Sequence, residues 1–123
     1  MTTPTIANLE KLIGGPRDGA LVRYALGNEW LKVRDPIRAI ESLRAAVAFD
    51  TQYSAAWKQL GKALASTGQT DESLEAFRQG IDVATARGDI QAAREMAVFV
   101  KRLSRGAIGP KPTPGDQTRR DDV

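Results

Sequence analysis

One spacing constrains this chain more than any other feature. Trp57, Leu60, Gly61 and Leu64 follow a W-x2-L-G-x2-L pattern, with Phe77 and Ile81 further on. Apolar residues recurring at three and four positions mark amphipathic helices, so 57–85 reads as a helix, a turn and a second helix. The same pattern returns 34 residues earlier. Leu26 and Gly27 fall on Leu60 and Gly61, and Trp30 falls on Leu64. Ile40, Leu43, Ala46 and Val47 fall on Leu74, Phe77, Gly80 and Ile81, and Ala39 holds the small-residue position of Ser73. Identities are few, but size and polarity agree wherever two helices must pack, as a structural repeat requires.

Shifted back again, Ile6, Leu9, Leu12 and Ile13 match Ile40, Leu43, Ala46 and Val47, so residues 2–16 read as the second half of an earlier, incomplete repeat. Shifted forward, Gln91 lands on Trp57 and Arg94-Glu95 replaces the Leu-Gly pair, while Ala97 and Val98 keep the pattern of Ala63 and Leu64. Residues 89–105 therefore read as a degenerate helix closing the stack, the atypical end expected of an array whose last unit has no outer neighbour.

Local signals divide the chain in the same places. Thr3 or Thr5 is suited to start the first helix, with Pro4 in its first turn, and Gly14-Gly15-Pro16 ends it. Asp18 is suited to cap a helix over 20–33, and Asp35-Pro36 is a cap followed by proline at the first helical position, opening 36–50. Ser54 is a candidate cap for 54–67. Gly68 suits a left-handed residue before Thr70 or Asp71 starts 71–86, and Gly88-Asp89 restarts the chain. Gly27 and Gly61 let a neighbouring helix approach closely, while Trp30, Leu43, Trp57 and Phe77 fill the space between helices. The division expected is 1–17 (packing helix, half a repeat), 18–52 and 53–87 (two repeats), 88–105 (capping helix) and 106–123 (tail). The tail has prolines 110, 112 and 114 and no helical period, so disorder is expected there.

The Trp57–Leu64 motif, with Phe77 and the 34-residue period, resembles the tetratricopeptide repeat (TPR) family over residues 5–105. The resemblance implies an all-α fold of about six helices, a right-handed superhelix of antiparallel pairs. It also implies a protein-binding adaptor or scaffold, because in that family the first helix of each pair lines a concave groove where peptides or partner helices lie. Carried over residue by residue, the groove would present Leu21, Tyr24, Asn28 and Leu31, then Lys58, Gln59 and Lys62, then Ala92, Met96 and Phe99. Members that clamp the C-terminal carboxylate of heat-shock chaperones need Lys, Asn, Asn, Lys and Arg. This chain has Tyr24, Asn28, Gln59, Asp89 and Ala93 there, and only Asn28 agrees, which disfavours that clamp.

Lys58 and Lys62 are four apart on one helix face, which suits an acidic-hydrophobic segment with apolar anchors on Tyr24, Leu31, Met96 and Phe99. In the last helix Ile90, Ala93, Met96, Ala97, Phe99, Val100 and Leu103 span a wider arc than one packed face needs. A partner, a second copy or the tail could cover the remainder, so a weak homodimer that self-associates through this helix is the alternative reading.

Composition narrows the other classes. The 123 residues contain no cysteine and no histidine, which removes disulfides, thiolate nucleophiles, Cys/His zinc sites and imidazole acid-base chemistry. Asp71-Glu72 sits at a helix start, where negative charge suits the macrodipole, and Gly14-Gly15-Pro16 lacks the Gly-Lys-Ser/Thr of a phosphate loop. No catalytic set, cofactor or metal is implied. The net charge of +3 is spread without a basic block, which disfavours nucleic acid as the partner. No apolar run is long enough for a membrane span and no secretion signal opens the chain, so a cytoplasmic location is expected.

Overall fold

The computed structural model of the chain describes residues 2–106, and among them it has six α-helices and no strand. They are α1 (Pro4–Glu10), α2 (Ala20–Lys32), α3 (Pro36–Phe49), α4 (Ser54–Ser66), α5 (Thr70–Ala86) and α6 (Ile90–Ser104). Each packs on the next in sequence, and α4 also touches α2 and α6, so α2, α4 and α6 lie side by side. The expected tail falls almost wholly at 107–123, outside the described residues.

The helix starts follow their capping chemistry in three cases. Thr3 Oγ1 accepts the Ile6 N–H at 3.1 Å, Asp35 Oδ1 that of Arg38 at 3.1 Å, and Asp89 Oδ1 that of Ala92 at 3.1 Å. Each satisfies a donor that the first helical turn leaves orphaned. The other starts correct the sequence reading. Gly19, Tyr53 and Gln69 occupy the cap positions of α2, α4 and α5 without a side-chain bond, so neither Asp18 nor Ser54 caps a helix.

Three turns share one backbone solution. The N–H groups of Asp35, Gln69 and Asp89 reach back to the carbonyls of Trp30, Leu64 and Ala84 at 2.9, 3.0 and 2.8 Å. This closes the end of α2, α4 and α5 and needs a left-handed residue just past the helix. Gly68 and Gly88 fill that position at φ 79°, but Arg34 fills it at φ 63°. A side chain there costs about 1 kcal/mol that glycine avoids.

The core shows the repeat as a repeated contact. A Cβ added to Gly27 would lie 2.5 Å from Leu43 Cγ, and one added to Gly61 would lie 2.8 Å from the Phe77 ring. In both pairs glycine on the first helix admits a large residue from the second. Leu26, Trp30, Leu43, Leu60, Leu64 and Phe77 are buried, and each such side chain contributes about 1.5–3 kcal/mol of apolar transfer. Ser73, the buried polar side chain, donates to the Gly61 carbonyl at 2.6 Å and so leaves no orphan. Trp57 is only half-buried, and its indole N–H donates to the Thr51 carbonyl at 2.8 Å.

Two registers depart from expectation. The first helix stops at Glu10 because Asp18 draws the chain into a loop. Its Oδ2 accepts the Gly14 N–H at 2.8 Å, Leu12 and Ile13 make only tight three-residue turn bonds, and Ile13 is left exposed. At the other end, α2, α4 and α6 begin at Ala20, Ser54 and Ile90, offsets of 34 and then 36 residues. The cause is α5, with 17 residues against 14 in α3, less one residue in the loop that follows. Met96 and Ala97, rather than Arg94 and Glu95, therefore stand where α4 has Leu60 and Gly61, and Met96 is fully buried with its sulfur against Gly80.

Candidate functional site

Helices α2, α4 and α6 present their outward side chains along one shared face. Its clearest concavity is a cleft of about 740 Å³ over α2, flanked by α1 and α4. Thr5 and Leu9 come from α1, Gln59 from α4, and α2 supplies Leu21, Tyr24, Ala25, Asn28, Glu29, Leu31 and Lys32. Four of the expected groove residues on α2 and one on α4 thus line one cleft. Leu21 is 71% exposed, a large apolar side chain spent on no packing. Tyr24 is half-buried with its ring 4.8 Å from that of Tyr53, which steadies the cleft wall. Burial in this pair, then the neighbouring Tyr24 and Asp50, pushes the Tyr53 hydroxyl pKa up.

The cleft floor carries an amide pair. Gln59 Nε2 donates to Asn28 Oδ1 at 2.8 Å, which fixes one side chain against the other between helices. This leaves the Asn28 amide hydrogens and the Gln59 carbonyl, a donor and an acceptor side by side. A peptide group in an extended segment offers the matching carbonyl and N–H, whereas a helix has spent both internally.

Towards α6 the face changes character. Lys58 Nζ is bound by Glu95 Oε1 at 2.9 Å, and that bond, with the Lys58 charge, holds the Glu95 carboxyl below its usual range. Glu95 also feels Lys62, so the two lysines are partly neutralised from within. The Lys62 ammonium lies 5.8 Å above the half-buried Phe99 ring, which itself stacks on Phe77 at 5.1 Å. Lys62 makes no ion pair among the described residues. Lys62 and Phe99 therefore stand beyond the cleft on the neighbouring helices. Met96 does not reach this face at all, because the 36-residue offset turns it into the core. The sequence reading also missed Thr5, Leu9 and Glu95. Glu95 was legible in principle, since it stands 36 residues after Gln59 and bridges to α4 as Gln59 bridges to α2.

A smaller cleft of about 390 Å³ lies between the loop after α1 and helices α2 and α3, bordered by Glu10, Ile13, Trp30, Ile37 and Arg38. The Arg38 guanidinium lies 5.0 Å from the Trp30 ring and covers part of its floor. No cluster of acidic side chains able to hold a metal occurs among the described residues, and no helix there is long and apolar enough to cross a membrane.

No protein-family model matches the chain. A TPR repeat-containing protein of Pseudomonas aeruginosa is 42% identical over 100 residues, spanning 81% of this chain and 95% of that protein. Among solved structures, a Bordetella parapertussis protein matches with a TM-score of 0.70 at 37% identity, over 85% of this chain and 90% of the other. A tetratricopeptide repeat domain protein of Salinibacter ruber matches at 0.66 and 28% identity, over 71% of this chain and 97% of that one. The Sgt2 TPR domain of Aspergillus fumigatus, at 18% identity and 0.64 over 88% of this chain and 74% of its own, agrees in fold alone. From the repeated glycine contacts, the six stacked helices and a relative matched along nearly its whole length, the chain belongs to the tetratricopeptide repeat family.

Proposed function

We propose that this chain is an adaptor that holds an extended segment of another protein in the cleft over α2, with no catalytic step. The observation that carries this reading is the cleft itself, with exposed Leu21 and half-buried Leu9, Tyr24 and Leu31 around a paired Asn28 and Gln59. Apolar side chains of the segment sit against Leu21, Tyr24 and Leu31, and the amide pair reads its backbone. Lys62 and the Phe99 edge then extend the site by one helix and favour a carboxylate. Lys58 contributes less, since it must first release Glu95. A single acidic residue in the segment suits this arrangement better than an acidic run, which would meet Glu95.

Site-specific photocrosslinking in the native cell tests the reading. A benzophenone side chain placed at Leu21 should capture a discrete partner protein, and the same group at exposed Arg78 on α5 should not. Capture lost when Tyr24→Ala and Leu31→Asp are added, with circular dichroism unchanged, supports the cleft. Equal capture from both positions rejects it, and a product containing only this chain shifts the reading to self-association.

A further inference from the structure

The outer side of α6 is built like the side of α4 that receives α5, yet it carries no helix among the described residues. With the 36-residue offset, Ala93, Ala97, Val100 and Lys101 stand where α4 has Trp57, Gly61, Leu64 and Ala65. On α4, Phe77 seats on Gly61, and Gly61, Leu64 and Ala65 are buried. On α6 the counterparts Ala97 and Lys101 are exposed, Val100 is half-buried, and Ile90 at the near end is 48% exposed. The loss of burial falls on the positions that α5 covers one pair earlier. Of the other apolar residues of α6, Met96 and Leu103 are in the core, Phe99 is half-buried and Val98 is 47% exposed.

We infer that this face docks an amphipathic helix of another protein, one that sets a large apolar residue over Ala97 and acidic residues beside Lys101. The site is separate from the cleft over α2 and does not rest on it. The charge pattern selects the occupant. Arg94, Lys101, Arg102 and Arg105 are all exposed, while Glu95, the one carboxylate of α6, is held by Lys58. A second copy docked α6 to α6 would bring these cations together, and like charges at a two-fold contact repel. Within α1 the exposed residues are Pro4, Thr5, Asn8 and Glu10, with no large apolar side chain among them for a head-to-tail contact. An acidic amphipathic helix meets both requirements, seating its stripe on Ile90, Ala97 and Val100 and its carboxylates on the cations.

The test uses two stapled 15-residue helices as probes, with one apolar stripe centred on Phe and flanks of either Glu or Lys. Binding to the full chain is read by fluorescence anisotropy and by amide chemical shifts. The Glu-flanked helix should bind with shifts at Ile90, Ala97 and Val100, and the Lys-flanked helix should bind at least about fivefold more weakly, the scale of exposed ion pairs. Lys101→Glu should remove or invert that preference. Ala97→Arg, at an exposed position where the fold is unstrained, should abolish binding with circular dichroism unchanged. The inference is overturned if neither helix saturates or if the shifts map to Leu21 and Tyr24. It also falls if Lys101→Glu leaves the preference intact, or if sedimentation shows wild type dimerising through α6.

Discussion

The pair α2–α3 and the pair α4–α5 stand 34 residues apart and solve the same packing problem with different residues. Leu43 sits on Gly27 in one and Phe77 on Gly61 in the other. The turn between helices is closed by Arg34 in one and Gly68 in the other. The loop entering each pair is tied by residues in the same register. Arg23 grips Asp18 with two bonds of 2.9 Å, while Trp57 donates to the Thr51 carbonyl. The outward faces diverge much further. Leu21, Tyr24 and Asn28 on α2 correspond to Ala55, Lys58 and Lys62 on α4. Inward positions share a shape because each must fill the same gap between helices, whereas outward positions are released from that demand and differ in chemistry.

The comparison can be broken most strongly at the second pair's knob. Phe77→Ala should destabilise the fold by about 3–5 kcal/mol in urea unfolding, since Phe77 is fully buried and also stacks on Phe99. Leu43→Ala should cost about 2–4 kcal/mol, and a larger loss there than at Phe77 would show that the first pair dominates stability.

The glycines test the same contact from the other side. Gly61→Ala should cost about 1–3 kcal/mol through crowding against the Phe77 ring. Equal stability of Gly61→Ala and wild type in urea would mean that the ring yields and the contact is loose.

The turns sharpen the comparison with a gain. Arg34→Gly should stabilise by about 0.5–1 kcal/mol by giving the first pair the turn residue of the second, and Gly68→Arg should cost a similar amount. A destabilised Arg34→Gly would point to a contact of the arginine that outweighs its backbone strain.

The smallest effect separates the entry loops by pH. Asp18 is held down to about 2, first by its hydrogen bond from Arg23 and then by the Gly14 N–H. Its unfolded value is about 3.9, so the folded state gains stability that is present above about pH 4 and lost as pH falls towards 2. Asp18→Asn should lower the melting temperature at neutral pH and flatten its fall over that acid window. Trp57→Phe should lower it by an amount that does not change with pH. A wild-type acid slope surviving in Asp18→Asn would assign it to other carboxylates.

Much of this was legible from spacing. The six helices, the Asp35-Pro36 start, the left-handed Gly68 and the close approach at Gly27 and Gly61 all follow from local rules that act within a few residues. On α2 the expected outward residues do line one cleft, whereas on α6 the expected register put Met96 on the wrong side. Gly88-Asp89 marks the end of α5, but the 34-residue shift runs past that signal, although 71–86 is already longer than 36–50. The two-residue change in offset turned Met96 inwards and brought Glu95 onto Lys58.

What the sequence determined by itself was the plan, an all-α stack of pairs with glycine under each large residue, since helix period, caps and volume are properties of neighbouring positions. Tertiary structure alone decided which outward residues share a cleft, that Asn28 and Gln59 bind each other, and that Glu95 occupies Lys58. Those facts depend on how far one helix is rotated about its axis against another, and two residues of offset are enough to exchange a buried side for an exposed one.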